Sequence, residues 1–269
     1  MKSALLALTS MFVFGSCKPP KHEPAVPTAS RELAEYFPLL PMIEKSLWSQ
    51  LIDAEAKLAA GPETEREIAN QEVTRLAKKL RSKHPFKAAG GRMELGGIIF
   101  DKAPSKIYVP ARVEFPDSGD ERHPGEVELL LCTQGGRLHE TLFVTDARPL
   151  HLELMMHLAG LTKGPQGNRF RIEVLANDGS RIPVESLVRV TGGERLASPL
   201  LWEFSGSDYK DLYAPDLSGD FAIFWHAHDS VLRVAHEGIA SGVVKLAPVP
   251  HPKLIDGDAV LLELIPANE

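Results

Sequence analysis

The sequence lacks the short motifs that mark several large enzyme classes. It contains no GxSxG nucleophile elbow, no Walker phosphate loop and no GxGxxG dinucleotide fingerprint. His139-Glu140 and His236-Glu237 begin like the HExxH zinc motif, but neither is followed by the second histidine. These absences argue against the common serine hydrolases, zinc proteases and nucleotide-binding enzymes, and we expect no nucleotide ligand.

Positive charge is also scarce. The 269-residue chain has 30 Lys and Arg against 36 Asp and Glu, a formal net charge of -6 and a sequence pI near 6.0. No basic patch is interleaved with aromatic residues, so nothing would attract a phosphate backbone, and we expect no nucleic-acid partner. With 43% hydrophobic and 25% charged residues, the chain has an ordinary globular composition, with enough apolar residues for one large or two small cores.

Only two cysteines are present, Cys17 and Cys132. Cys17 follows Lys2, an apolar run over residues 4–14 and the small pair Gly15-Ser16, which is the order of a secretory signal peptide at residues 1–16. The run is too short to span a bilayer. Phe14-Gly15-Ser16-Cys17 resembles the lipobox of bacterial lipoproteins, in which the cysteine becomes the acylated first residue, although Phe14 replaces the usual Leu. An ordinary cleaved signal and a buried N-terminal helix are the alternatives.

Lipidation of Cys17 would leave Cys132 without a disulfide partner and hold the protein on a bacterial membrane, facing the periplasm or the exterior. Residues 17–30 follow as a tether, because residues 18–30 carry four prolines and no apolar periodicity. A disordered N-terminus would have the same extended structure.

Residues 31–85 are predicted to form a helical hairpin. Apolar residues repeat at helical spacing across residues 41–60, and Gly61 ends that helix. Pro62 suits the first turn of the second helix, whose acidic start and basic end match the helix dipole. Because this pair is too polar to bury much by itself, we expect it to dock on the following domain or to offer a partner surface.

Residues 92–266 predict an α+β domain with a largely antiparallel sheet and one main helix at about residues 149–161. Short apolar runs alternate with turn sequences there, and the long helical crossovers of parallel sheets are missing. The predicted strands cover residues 106–115, 170–175, 184–190, 200–204, 221–226 and 260–265. Pro110 marks a bulge or an edge position within the first of them.

Residues 125–164 hold the candidate catalytic residues. If Gly135-Gly136 is a two-residue turn, an antiparallel hairpin places Cys132 opposite His139. The imidazole would then lower the pKa of the thiol and make it nucleophilic, whereas an unpaired cysteine in an apolar strand commonly only packs. Glu140 stands alone on an otherwise apolar face. It can act as a general acid or base, pair with an arginine, or lie exposed at a sheet edge.

His226 and His228 are the candidate metal ligands. Residues two apart on a strand point to the same face, so two imidazoles there can share a divalent metal ion. Hydrogen-bonded strand histidines are the alternative. No other cofactor is expected.

Five segments of the domain resemble the core of the YdjY-type domain of bacterial envelope proteins, which spans about residues 92–265 here. They are Gly135–Leu142, Ala147-Arg148-Pro149, Leu158–Leu161 with Gly164, Trp202–Ser207 and Leu217–Asp220. The resemblance implies a secreted or lipid-anchored domain and brings no established activity or catalytic residues. We therefore expect a lipid-anchored cell-envelope protein whose C-terminal domain is a binding or scaffolding module, with an envelope protein as a partner. The alternative is a metal-binding or His/Glu-dependent envelope enzyme.

Overall fold

The computed structural model describes residues 28–116, 125–193, 196, 199–207, 213–226 and 229–267. The predicted signal peptide, Cys17, the tether as far as residue 27 and His228 lie outside the described residues. The helices are α1 (Ala29–Tyr36), α2 (Leu40–Ile43), α3 (Lys45–Ala60), α4 (Glu63–Lys83), α5 (Pro149–Leu158), α6 (Ala214–Ser218) and α7 (Glu237–Ala240). Two short 3-10 turns cover Leu138–Glu140 and Val184–Leu187.

The strands fall into three groups. The first three are β1 (Phe86–Ala89), β2 (Arg92–Leu95) and β3 (Ile98–Asp101). The middle group is β4 (Lys106–Val113), β5 (Leu129–Thr133), β6 (Thr141–Thr145), β7 (Arg169–Leu175), β8 (Arg181–Pro183) and β9 (Val188–Val190). The last group is β10 (Trp202–Phe204), β11 (Asp220–Ile223), β12 (Leu232–Val234), β13 (Leu246–Pro248) and β14 (Ala259–Pro266).

The helical hairpin consists of α3 and α4. Leu51 of α3 and Leu76 of α4 are both buried in the main hydrophobic core. The chain enters it through α1, where the Thr28 hydroxyl accepts a hydrogen bond from the Arg31 amide as an N-cap. Helix therefore begins at Ala29, within the segment predicted as a tether. The helix predicted over residues 41–60 is interrupted at Glu44, whose backbone leaves the helical region.

Eight strands close into a barrel in the order β4-β14-β7-β10-β12-β11-β5-β6, with β6 pairing back onto β4. The strands β1 to β3 extend the sheet beyond β4, β8 pairs with β7, and β9 and β13 form a separate pair. Most pairings are antiparallel, but β11 with β12 and β5 with β6 are parallel. The predicted α+β class is confirmed. The sheet is closed, however, and so is not the simple antiparallel sheet that we expected.

Pro110 lies where β4 changes its neighbour on one side. β3 pairs with β4 as far as Tyr108 and β6 pairs with it from Arg112, whereas Pro110 pairs with Leu261 of β14 on the opposite side. Because proline has no backbone N–H, it is tolerated where one side of a strand has no ladder to complete. Of the two predicted alternatives, the edge position is therefore the one observed, because Pro110 has no paired strand on one side, between the ends of β3 and β6.

The predicted antiparallel hairpin at Gly135-Gly136 is wrong. β5 and β6 run parallel, with Cys132 beside Val144 rather than opposite His139. The Gly136 amide donates to the Thr133 carbonyl (2.9 Å), and the Leu138–Glu140 turn carries the chain back to the start of β6. A glycine pair allows either a hairpin or such a return, and the choice depends on contacts that are distant in sequence.

Two predicted strands are also shorter than expected. Residues 184–187 form a 3-10 turn, so β9 starts only at Val188. β11 ends at Ile223. After it, the Phe224 amide donates to the backbone carbonyl of Glu128, and the His226 amide donates to the backbone carbonyl of Ala240. Residues 224–226 therefore bend away from the barrel wall.

None of the helices in the described part of the chain combines the length and the apolar composition needed to cross a bilayer.

Candidate functional site

Cys132 is a fully buried free thiol. Burial, reinforced by the negative charge of Asp220, raises its pKa to about 11. His139, its expected partner, has a side chain that is 74% exposed and lies in the return turn. The geometry therefore leaves Cys132 protonated near neutral pH, as a packing residue between β11 and β6.

Arg137 gathers the carboxylates of this region. Its Nη1 donates to Glu128 Oε2 and to Glu140 Oε2, at 2.8 Å each. Its Nη2 lies 3.6 Å from Asp220 Oδ2. Glu140, predicted to be isolated on an apolar face, is thus half-buried and paired with an arginine, and His139 Nε2 lies 3.3 Å from its other oxygen.

The Arg137 cluster is more acidic than basic. Burial and repulsion from Glu140 raise the pKa of Glu128, against the opposing hydrogen bond from Arg137. The three carboxylates belong to segments that are distant in sequence, namely the residue before β5, the return turn and the start of β11. We interpret Arg137 as the tie that fixes these segments to one another.

His226 does not present a strand face. Its Nε2 donates to the Val234 carbonyl (2.9 Å), and burial lowers its pKa. It follows the end of β11, so His226 does not lie in the strand predicted for it. His228 lies outside the described residues, and the shared metal site of the two histidines stays a prediction. Within the residues that are described, no three His, Cys, Asp or Glu side chains are grouped to hold a metal ion.

Glu153 is a buried acid that the sequence did not single out. It is fully buried on α5, where the Tyr213 hydroxyl and the Ser207 amide donate to its Oε2 and the Lys163 ammonium pairs with its Oε1. Burial alone would raise the pKa of Glu153, but hydrogen bonds from His157, Lys163 and Tyr213 lower it. It is a carboxylate held ionised by its neighbours.

Glu153 lies where the loop after α5 meets the chain that follows β10. The Gly164 amide donates to the Phe204 carbonyl (2.8 Å), and Lys163 Nζ donates to the Ser207 carbonyl (2.9 Å). The Arg137 cluster likewise joins the return turn to the start of β11 through Asp220. Each cluster therefore ties together separate segments of the domain.

A cleft of about 940 Å³ separates the helical hairpin from the barrel. It is larger than a groove of about 470 Å³ along the hairpin and a pocket of about 170 Å³ beside Trp225. Its helical wall comprises Met42, Ile43, Glu44, Lys45, Ser46 and Lys83. Its opposite wall comprises Thr133, the last residue of the barrel strand β5, with Arg148, Pro149 and Leu150 at the start of α5 and Tyr213, Asp216 and Leu217 at α6.

The two carboxylates that line the cleft are already engaged by the protein. Glu44 Oε1 accepts from His84 Nε2 (2.7 Å) and lies 2.5 Å from Lys83 Nζ. Burial by itself raises the pKa of Glu44, but these two partners hold it below its usual range. Asp216 accepts from the Leu150 amide (2.9 Å) and pairs with the Arg148 guanidinium.

Sequence reasoning missed the cleft because its walls come from parts of the chain about 100 residues apart. The break at Glu44, which turns Lys45 toward the cleft, had no clear sequence indication. The first helix was predicted to run through this position.

No protein-family model, no curated protein and no solved structure matches this chain.

Proposed function

We propose that this protein is a lipid-anchored protein of the bacterial cell envelope whose folded part is a binding module, and that the cleft between hairpin and barrel is its ligand site. The cleft is the observation that carries the proposal. Ligand sites commonly have volumes of about 300–1,000 Å³ and lie where two structural units meet. The volume of about 940 Å³ and its position between helices and barrel fit both descriptions.

The candidate catalytic residues support binding rather than chemistry. Burial keeps the Cys132 thiol protonated, and Glu140 and Glu128 are both engaged by Arg137. None of these side chains lines the cleft. The cleft instead offers ammonium and guanidinium groups beside apolar side chains, which recognise a ligand without requiring it to react.

Anchoring at Cys17 would suit such a module. Residues 18–27 separate Cys17 from the Thr28 cap of α1, and an extended chain of this length reaches roughly 30 Å at about 3.1 Å per residue. The folded part would then sit close to the membrane surface and remain able to turn toward a partner.

One experiment tests both parts of the proposal. The full chain is expressed in a bacterium that processes lipoproteins, and a photo-crosslinking amino acid replaces Leu217 at the cleft or, as a control, Ile68 on the hairpin. Both positions are 69% exposed, and only Leu217 lines the cleft. We expect mass spectrometry to find an acylated Cys17 as the first residue, and an adduct at position 217 that is absent at position 68.

The two parts fail separately. An unmodified Cys17, or a chain that stays on the membrane when Cys17→Ala is introduced, overturns the anchor. Equal adducts at positions 217 and 68, or none at 217, overturn the cleft as a binding site.

A further inference from the structure

We infer that the cleft binds an anionic amphiphile, a molecule with one acidic head group, carboxylate or phosphate, on a hydrocarbon tail. This inference rests on the proposed binding function and names the chemistry of its ligand. It follows from three features of the walls, namely the engaged carboxylates, the cations left over and the exposed apolar rim.

The acidic side chains of the cleft are already paired with basic side chains of the protein. Glu44 is buried, pairs with Lys83 and accepts a hydrogen bond from His84. Asp216 is taken up by Arg148 and by the Leu150 amide at the start of α5. A ligand cation would therefore meet carboxylates whose charge is already balanced, beside the cations that balance it.

The basic side chains, in contrast, retain donors. Lys83 and Arg148 are each about two-fifths exposed beside their carboxylates, with side-chain values of 42% and 39%. An ammonium has three N–H donors and a guanidinium five, so both can bind a further acceptor. Lys45 is exposed and forms no ion pair with any described residue. The walls therefore combine three cations with two carboxylates, on a protein that is acidic as a whole.

The charge of Lys45 is unfavourable for the helix to which it belongs. It is the first residue of α3, where the helix dipole is positive, and no acidic residue shares that first turn. A cation at this position interacts unfavourably with the helix dipole. Its charge therefore does not stabilise α3, whereas it adds to the positive charge that Lys83 and Arg148 bring to the walls of the same cleft.

The rim of the cleft is apolar. Met42 from α2 is 45% exposed and Leu217 from α6 is 69% exposed, and both line the cleft. Ile43, Pro149 and Leu150 continue the apolar surface inward. An inorganic anion would leave this apolar surface in water, whereas a hydrocarbon tail would bury it, which favours binding. Cations and apolar rim together select an acid that carries a tail.

Calorimetric titration of the full chain with single-chain probes tests the inference. The Cys17→Ala form is used, so that the protein carries no acyl group of its own. Octanoate and octyl phosphate supply acid and tail, octyl glucoside and octyltrimethylammonium supply the tail alone, and acetate and inorganic phosphate supply the acid alone. We expect the two octyl acids to bind at least tenfold more tightly than any of the other four.

Paired variants locate the binding. Lys45→Gln should weaken the octyl acids about tenfold, while Lys57→Gln, the same change on an exposed lysine of α3 outside the cleft, should leave them unchanged. Leu217→Ser should bring the octyl acids toward the affinity of acetate and phosphate. Unchanged thermal melting of Lys45→Gln shows that the loss is not unfolding.

Vesicles distinguish a bilayer lipid from a free acid. Binding to phosphatidylcholine vesicles that contain phosphatidylglycerol, lost in Lys45→Gln, identifies an anionic lipid of the membrane; binding of the octyl acids without vesicle binding identifies a soluble acid. Equal affinity for octyl glucoside, preference for octyltrimethylammonium, or equal effects of the two lysine variants would overturn the inference. If crosslinking at position 217 still gives an adduct in that case, the binding function stands and only the ligand class is wrong.

Discussion

The buried imidazoles of His84 and His151 meet edge to face between the helical hairpin and the barrel, with ring centroids 5.5 Å apart. Gly96 makes room for the pair, because a Cβ at this position would overlap the His151 ring. Burial, together with the positive charge of His84 and Arg148, lowers the pKa of His151 to about 3. His151 therefore stays neutral in the folded protein at any physiological pH.

This neutral histidine makes the free energy of unfolding depend on pH. The unfolded chain binds a proton at His151 near pH 6.5 and the folded chain only near pH 3. The stability that neutral His151 contributes is therefore fully present above about pH 6.5. It is lost as the pH falls from there toward pH 3, by about 1.4 kcal/mol of unfolding free energy per pH unit. In urea unfolding at pH 6.5 and pH 5.0, His151→Leu should remove about 2 kcal/mol of the pH-dependent difference. An identical pH difference in both proteins would contradict this.

Arg137→Ala should cost about 3–5 kcal/mol of unfolding free energy, because it leaves three carboxylates close together without their cation. The loss should shrink at acidic pH as Glu128, whose pKa is raised by burial and by Glu140, takes up a proton. Arg75→Ala is the control, since Arg75 pairs with Glu72 on an exposed face of α4, where solvent screens the pair and its loss should change stability little. Equal losses of unfolding free energy in the two variants would show that Arg137 does not stabilise the fold by joining the segments of Glu128, Glu140 and Asp220.

Gly219→Ala should destabilise the barrel more than Gly179→Ala. The two glycines have nearly the same left-handed φ, +82° and +81°, so both substitutions carry the same backbone strain of about 1–2 kcal/mol. At Gly179 no atom lies within 4 Å of the added Cβ, whereas at Gly219 it overlaps Thr133 Oγ1 and lies 3.1 Å from the Gly136 Cα. Urea unfolding should show an additional loss of about 1–3 kcal/mol for Gly219→Ala. Equal losses would mean that the return turn moves freely.

Cys132 should resist thiol reagents until the protein unfolds. In the Cys17→Ala chain it is the remaining cysteine, and burial both raises its pKa to about 11 and excludes the reagent. We expect labelling at pH 8 to be at least about a hundredfold slower in buffer than in denaturing urea. If Cys132 is labelled in buffer as fast as an exposed thiol, the nucleophilic role suggested by the sequence would again have to be considered.

The three longest helices, α3, α4 and α5, and the α+β class were predictable because they depend on local patterns, whereas the short helices α1, α2, α6 and α7 were not predicted. Apolar spacing located α3 and α4, and turn sequences separated most strands. The break at Glu44 escaped prediction because a buried contact with His84, distant in sequence, accompanies it.

The site was less predictable than the fold. Barrel closure, the parallel pairing of β5 with β6 and the cleft all join segments that periodicity does not relate. Glu140 was noticed as an unusual carboxylate, but the sequence could not show that Arg137 would bind it. Lys45 had no distinguishing pattern, because its role depends on a wall supplied by Arg148.

The seam that closes the barrel is short. β6 pairs with β4 at Arg112 and Val113, whereas β14 pairs with β4 from Ile107 to Arg112. Amide hydrogens at the seam should therefore exchange with solvent through a low-energy local opening, ahead of those between β4 and β14. Because β6 leads directly to Arg148, opening the seam would also displace one wall of the cleft. A ligand that contacts both Lys45 and Arg148 would then slow amide hydrogen exchange between β4 and β6 and stabilise the closed barrel.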